Sequence, residues 1–242
     1  MLARFGASCL ALGALLAVLI PFHGGEVNAY DALYKPIKFC LSTAAAAWGF
    51  GWLLHELRRP KLVRAYSWLS VAILGAELAY ITAMGLRGVD SHFNTADWWG
   101  PYAFTAMGML ITVYTLATLL VGGLSWPSPK RIDIDRAYLA GIRWAVPLFV
   151  LFAFAGGAIA ANGGHVVGAD DTARGLPFLG WAIDHGDLRI AHFFGMHALQ
   201  ILPLLGAYVL RRRWQVHLAG LAYLTLACGI FAWAMAGRGL LG

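Results

Sequence analysis

Seven long apolar runs, each close to the length an α-helix needs to cross a bilayer, constrain this chain more than any other feature. They cover residues 5–22, 39–57, 66–86, 103–124, 138–161, 190–210 and 218–236. Charged residues make up only 12% of the chain, against roughly a quarter in soluble domains. The sequence therefore predicts an all-α integral membrane bundle of seven transmembrane helices, which forms a single domain over residues 1–242.

Positive charges in the loops predict the orientation of this bundle. The loops after the second, fourth and sixth runs carry Arg58, Arg59, Lys61, Arg64, Lys130, Arg131, Arg136, Arg211, Arg212 and Arg213. Because cytoplasmic loops are enriched in Lys and Arg, we expect the N-terminus inside and the C-terminus outside. The longer loops, residues 22–38, 87–102 and 162–189, then lie on the outer face. The net charge of +6 thus reflects topology and indicates no nucleic-acid partner.

The first run has an alternative interpretation as a secretory signal. Arg4 precedes it, and Val27-Asn28-Ala29 fits a small-residue cleavage site. Its length of about 18 apolar residues is long for a signal peptide, which favours a retained anchor. Cleavage would leave six spans.

Small residues and prolines predict where helices approach and bend. Residues 44–47 are four alanines, which allow close contact between helix backbones. Pro147 and Pro203 fall inside the fifth and sixth runs. Each removes a backbone hydrogen bond and can kink its helix.

The sixth run carries most of the polar groups that predict chemistry. An acid, a base, two histidines and an amide occur within or just before it, at Asp187, Arg189, His192, His197 and Gln200. Polar groups at membrane depth are costly, so they usually face protein or a water-filled cavity and are usually functional. We therefore expect a site around His192 and His197.

Helical geometry limits what the two histidines can bind. On a continuous α-helix, His197 lies about 140° around the axis from His192. One metal ion is therefore not chelated by this pair alone, although each imidazole can bind a metal or haem with partners from other helices. The alternative is that both histidines form structural hydrogen bonds with neighbouring helices.

Glu77 is the second candidate, because it is an acid in the middle of the third run. Its depth is close to that of His197, so the two side chains would form a carboxylate–imidazole pair if their helices are neighbours. Such a pair can orient a ligand histidine or relay a proton. The alternative is a protonated glutamate that is hydrogen-bonded in the core.

Charged residues at the outer rim allow two interpretations. Asp187 and Arg189 either cap the start of the sixth helix or, with Glu77, act as catalytic residues. Lys38, like Lys35, either anchors the second helix in the lipid headgroups or pairs with Asp187. A further alternative is that Lys38, with Arg189, holds an anionic substrate or a haem propionate.

Two segments carry a resemblance. Lys35-Pro36-Ile37-Lys38-Phe39 and the pattern GDLRxxHFxxxHxLQ over residues 186–200 resemble those of uncharacterised small multi-pass bacterial inner-membrane proteins. The likeness extends over most of the chain. It implies a bacterial inner-membrane setting, with the longer loops in the periplasm, and brings no activity or cofactor with it.

The leading hypothesis is a membrane oxidoreductase or electron carrier with haem b or a transition metal in the outer half of the bundle. His197 is its expected first ligand, His192 a second ligand or gate, with Gln200 beside them. One alternative is a proton-coupled transporter that uses Glu77 and His197. Another is a structural or assembly subunit that binds partner membrane subunits or a second copy of itself. The sequence leaves open whether the chain is an enzyme.

Overall fold

The computed structural model describes residues 1–55, 59–124 and 134–241, most of which are helical. The helices are α1 Leu2–His23, α2 Tyr34–His55, α3 Pro60–Leu86, α4 Gly100–Leu124, α5 Arg136–Phe154, α6 Gly156–Asn162, α7 Leu188–Met196, α8 Ala198–Leu204 and α9 Arg213–Met235, with a π-helical turn at Leu205–Val209 after α8. Two short antiparallel hairpins lie in the loops: β1 Glu26–Val27 with β2 Tyr30–Asp31, and β3 Val166–Val167 with β4 Gly186–Asp187.

The predicted all-α membrane bundle is confirmed. Within the described ranges, six helices are long and apolar enough to cross a membrane, and seven if the bent pair Leu188–Met196 and Ala198–Val209 counts as one span. The fifth span joins α5 and α6. Some of the predicted features lie outside the described residues: the loop residues Arg58, Lys130 and Arg131, and the end of the second span at Leu57.

The residues at the N-termini of α2 and α5 are compatible with a helix start. α2 begins at Tyr34, five residues before the predicted start of its span, and its first turn holds Lys35 and Pro36. Proline is tolerated in a first turn, where its missing N–H is not needed. α5 begins after Asp135, whose carboxylate accepts hydrogen bonds from the amides of Ala137 at 2.7 Å and Tyr138 at 3.2 Å.

The residues divide into two compact units. The first is Met1–Tyr114 with Gly175–Gly180, and the second is Thr115–Arg174 with Trp181–Gly242. In the first unit, α1 packs along α2. A Cβ at Gly13 would lie 3.1 Å from the Cβ of Cys40, and Ala44 and Ala47 are buried. The small residues of the second span therefore pack closely, as the sequence predicts.

In the second unit, α5 is the helix around which α7, α8 and α9 pack. A Cβ at Gly141 would lie 2.5 Å from the Leu202 carbonyl oxygen, and one at Gly206 would lie 2.5 Å from that of Ala137. α9 also approaches α5 closely, because a Cβ at Gly220 of α9 would lie 2.4 Å from the Trp144 ring of α5. Glycines thus set the spacing of these helices.

Candidate functional site

The sixth span is not a continuous helix: it bends by 40° between α7 and the segment Ala198–Val209, and the break falls at His197. The hydroxyl of Tyr223 in α9 donates a hydrogen bond to the Phe194 carbonyl oxygen at 2.5 Å. In a regular helix that oxygen accepts the amide of Ala198, four residues on. A side chain that enters the backbone ladder in this way is a recognised cause of a kink.

The two interruptions do not fall at the prolines. α5 passes through Pro147 and is interrupted at Ala155. The break at His197 lies six residues before Pro203, and α8 continues beyond this proline into the π-helical turn, where the Leu210 amide donates to the Leu205 carbonyl oxygen at 2.7 Å.

His197 is held by its own helix and by an aromatic neighbour. Its Nδ1 donates to Oε1 of Gln200 at 3.2 Å, because the amide oxygen can only accept. Its ring meets that of Phe193 edge-on at 4.2 Å, and Phe193 in turn meets Trp181 at 5.5 Å. The His197 amide still donates to the Phe193 carbonyl oxygen at 3.2 Å, so α7 keeps its helical path up to His197 and the angle of about 140° between the two histidines stays a prediction.

His192 is held at the interruption in the fifth span. Its Nδ1 donates to the Phe152 carbonyl oxygen at 2.6 Å. Gly156 leaves room for the ring, because a Cβ there would lie 3.1 Å from Cε1 of His192. The Phe152 side chain in turn occupies the space over Gly195, where a Cβ would overlap its ring at 1.9 Å. α5 and α7 are thus interlocked on both sides of this hydrogen bond.

Both histidines therefore carry their proton on Nδ1 when neutral, which leaves Nε2 with a lone pair. Among the residues that the structure describes, no group of three or more His, Cys, Asp and Glu side chains is arranged to hold a metal ion. The second unit thus holds two imidazoles in fixed orientations, those of His192 and His197. The described residues form no metal site made from protein side chains alone.

Asp187 is a helix cap. It is the residue before α7, its side chain is fully buried, and it accepts hydrogen bonds from the amides of Ala182 at 2.8 Å and Arg189 at 3.0 Å. The Arg189 guanidinium pairs with it at 2.5 Å. The capping interpretation of Asp187 and Arg189 therefore describes this geometry, and their proposed catalytic use stays a prediction.

An ion pair between His165 and Asp171 lies in the same unit and was missed by the sequence reasoning. His165 donates to the Asp171 carboxylate through Nδ1 and, at 2.7 Å, through its backbone amide. Burial raises the pKa of Asp171, but the hydrogen bonds from His165 and the nearby Arg189 charge outweigh it and lower that pKa to about 2. The only sequence signal was the polar content of the loop over residues 162–189.

Lys38 and Glu77 belong to the first unit. The Lys38 ammonium donates to the Leu179 carbonyl oxygen at 2.8 Å, and its neighbour Lys35 pairs with Asp90 at 2.7 Å. Glu77 is half-buried on α3. Within the described part of the chain, its carboxyl has no hydrogen-bond or ion-pair partner. The pairing of Glu77 with His197, which lies in the second unit, remains a prediction.

Comparisons with family models, with curated proteins and with solved structures found no match to this chain.

Proposed function

We propose that the protein is a multi-pass membrane oxidoreductase or electron carrier that binds haem b, or a transition-metal ion, through Nε2 of His197, with His192 as the second imidazole. The observation that carries this proposal is the hydrogen bonding of the rings. Each Nδ1–H is held by an acceptor, Oε1 of Gln200 or the Phe152 carbonyl oxygen. Metal-binding histidines almost always donate their other ring N–H in this way.

The ligand count favours haem over a bare metal ion. A metal held only by protein needs three or four side chains, and no such group occurs among the described residues. Haem iron would need only one or two protein ligands, because the porphyrin supplies the rest, and His197 and His192 are the residues that would hold it. Haem would supply one-electron chemistry, while this chain would orient the imidazoles, with Phe193 against the His197 ring and Trp181 against Phe193.

The proposal also includes a location. The Lys and Arg residues of the short loops support an orientation with the longer loops outside the cytoplasm. The resemblance carried by residues 35–39 and 186–200 supports a bacterial inner membrane, in which that side is the periplasm. Asp187 and Arg189 belong to one of these longer loops, residues 162–189.

An absorption spectrum of the detergent-purified protein, expressed with haem supplementation, tests the cofactor directly. We expect a Soret band that shifts on reduction, and its loss in His197→Ala. The matched control is His217→Ala, since His217 is exposed and its Nδ1 accepts from Trp144 at 3.0 Å. Wild-type protein without a Soret band or stoichiometric metal would refute the proposal, and full cofactor retention in His197→Ala would refute the ligand assignment.

Glu77 supports a second candidate, a proton-coupled transporter. An acid within a membrane span is a functional candidate by default, and no described residue pairs with this one. Proton uptake into vesicles should then disappear in Glu77→Gln and persist in Glu26→Gln, whose glutamate lies in hairpin strand β1. Equal uptake in wild type and Glu77→Gln would exclude this role for Glu77.

A further inference from the structure

A groove of about 650 Å³ opens on the surface of the second unit, beside the C-terminal half of α9. Its body is formed by apolar positions of α7 and α9, including Ile190, Leu226 and Ile230. A Cβ at Gly229 would meet nothing within 4 Å, so the groove is open at that point. Its volume falls within the roughly 300–1,000 Å³ typical of small-molecule sites.

One end of the groove is polar and is built by the backbone. Residues after α9 fold back on the segment before β4, where His185 and Arg238 form an antiparallel bridge. The Trp233 indole donates to the Gly239 carbonyl oxygen at 3.0 Å, and the Leu241 amide donates to that of Ile183 at 3.1 Å. These hydrogen bonds hold this polar end of the groove, here called the rim, in place without a ligand.

A cation without an acidic partner lies at this rim. The Arg238 guanidinium is positioned over the Trp233 ring, 4.7 Å from its centroid, and pairs with no carboxylate among the described residues. The nearby acids are already paired, Asp187 with Arg189 and Asp184 with Arg174. In addition, Nδ1 of His185 is buried without a hydrogen-bond partner in the described part of the chain, which costs free energy until an oxygen or a proton donor reaches it.

We propose that this groove binds an anionic phospholipid, with one acyl chain along α9 and the phosphate on Arg238 and His185. The apolar body at the surface of a membrane-spanning helix suits a hydrocarbon chain. The unpaired guanidinium, next to a tryptophan at the end of that helix, suits a phosphate at headgroup depth. The proposal is independent of any cofactor at His197.

Native mass spectrometry of the full chain, with phosphatidylglycerol or phosphatidylcholine added, tests the site. We expect one phosphatidylglycerol to be retained in preference to phosphatidylcholine, and Arg238→Ala to weaken that retention about fivefold, the effect of one basic residue at a membrane surface. Arg174→Ala is the matched control, because Arg174 is an exposed arginine in the same unit that already pairs with Asp184. Equal retention of the two lipids, or unchanged retention in Arg238→Ala, would overturn the proposal.

A second variant tests the acyl chain. Gly229→Phe places a ring in the open part of the groove and should abolish lipid retention while the protein stays folded. Inorganic phosphate at millimolar concentration should not displace the lipid, since it lacks the chain. Displacement by phosphate, or normal retention in Gly229→Phe, would show that the acyl chain does not occupy the groove.

Discussion

The hydroxyl of Tyr223 donates a hydrogen bond to the carbonyl oxygen of Phe194, and the two rings stack at 4.5 Å and 9°. This one contact joins α9 to the turn of α7 that precedes His197. It uses a backbone acceptor that the helix needs in order to continue straight. The position of His197 at the bend therefore depends on a residue 26 positions later in the chain.

Tyr223→Phe removes this hydrogen bond and keeps the ring stacking. We expect a loss of about 1 kcal/mol in the free energy of unfolding, as is typical for one hydrogen bond. The measurement is denaturation in mixed micelles. Thr225→Val on the same helix is the control, because that hydroxyl bonds only to the Leu221 carbonyl oxygen of its own helix, at 2.9 Å. A Tyr223→Phe protein as stable as wild type would show that the hydroxyl does not stabilise the bend.

Gly195→Ala should be more damaging than its single methyl group indicates. The new Cβ would overlap the Phe152 ring at 1.9 Å, so α5 and α7 must separate. Because overpacking of a core typically costs 1–3 kcal/mol, we expect a loss of about 2 kcal/mol in the free energy of unfolding. Gly229→Ala is the control, since nothing lies within 4 Å of the added methyl group. Equal effects of the two substitutions would contradict the interlocked packing of α5 and α7.

The sequence predicts well what local chemistry determines. The apolar runs identify the spans, because a helix that crosses a bilayer needs about 20 predominantly apolar residues. The Asp187 cap is one of the two interpretations that its place three residues before the sixth run allowed. By contrast, the break at His197 depends on Tyr223, and the His192 contact depends on Phe152. Both are contacts between helices, which no pattern within one span can show.

The ion pair of Asp171 and His165 predicts a pH dependence of stability. The pKa of Asp171 in the folded protein is about 2, below its ordinary value of 3.8. The carboxylate therefore contributes stability that is fully present above about pH 4 and is lost as the pH falls towards 2. The contribution is about 2 kcal/mol, since each pKa unit corresponds to about 1.4 kcal/mol.

Thermal unfolding between pH 2 and pH 6 measures this contribution. Asp171→Asn should be less stable than wild type at pH 6, and the difference should shrink towards pH 2. Asp184→Asn is the control, because the exposed ion pair of Asp184 and Arg174 is screened by solvent and contributes little. A constant difference between Asp171→Asn and wild type across this range would rule out the ion pair as the cause.

Lys38 is expected to act as a tether within the first unit. Its ammonium donates to the Leu179 carbonyl oxygen at 2.8 Å, which joins α2 to the segment Gly175–Gly180. Because a hydrogen bond to a charged group contributes about 1.5–3 kcal/mol, Lys38→Met should raise hydrogen exchange of that segment at least about tenfold. The Gly180 amide, which donates to the Leu176 carbonyl oxygen at 2.8 Å, is the probe.

Lys35→Met is the matched control for this exchange experiment. Lys35 pairs with Asp90 at 2.7 Å, so its loss should expose the loop around Asp90 and leave the Gly180 amide protected. If Lys38→Met leaves exchange at Gly180 unchanged, the tether is not what orders this segment. The lysine would then be available to hold an anion, as the sequence alone allowed.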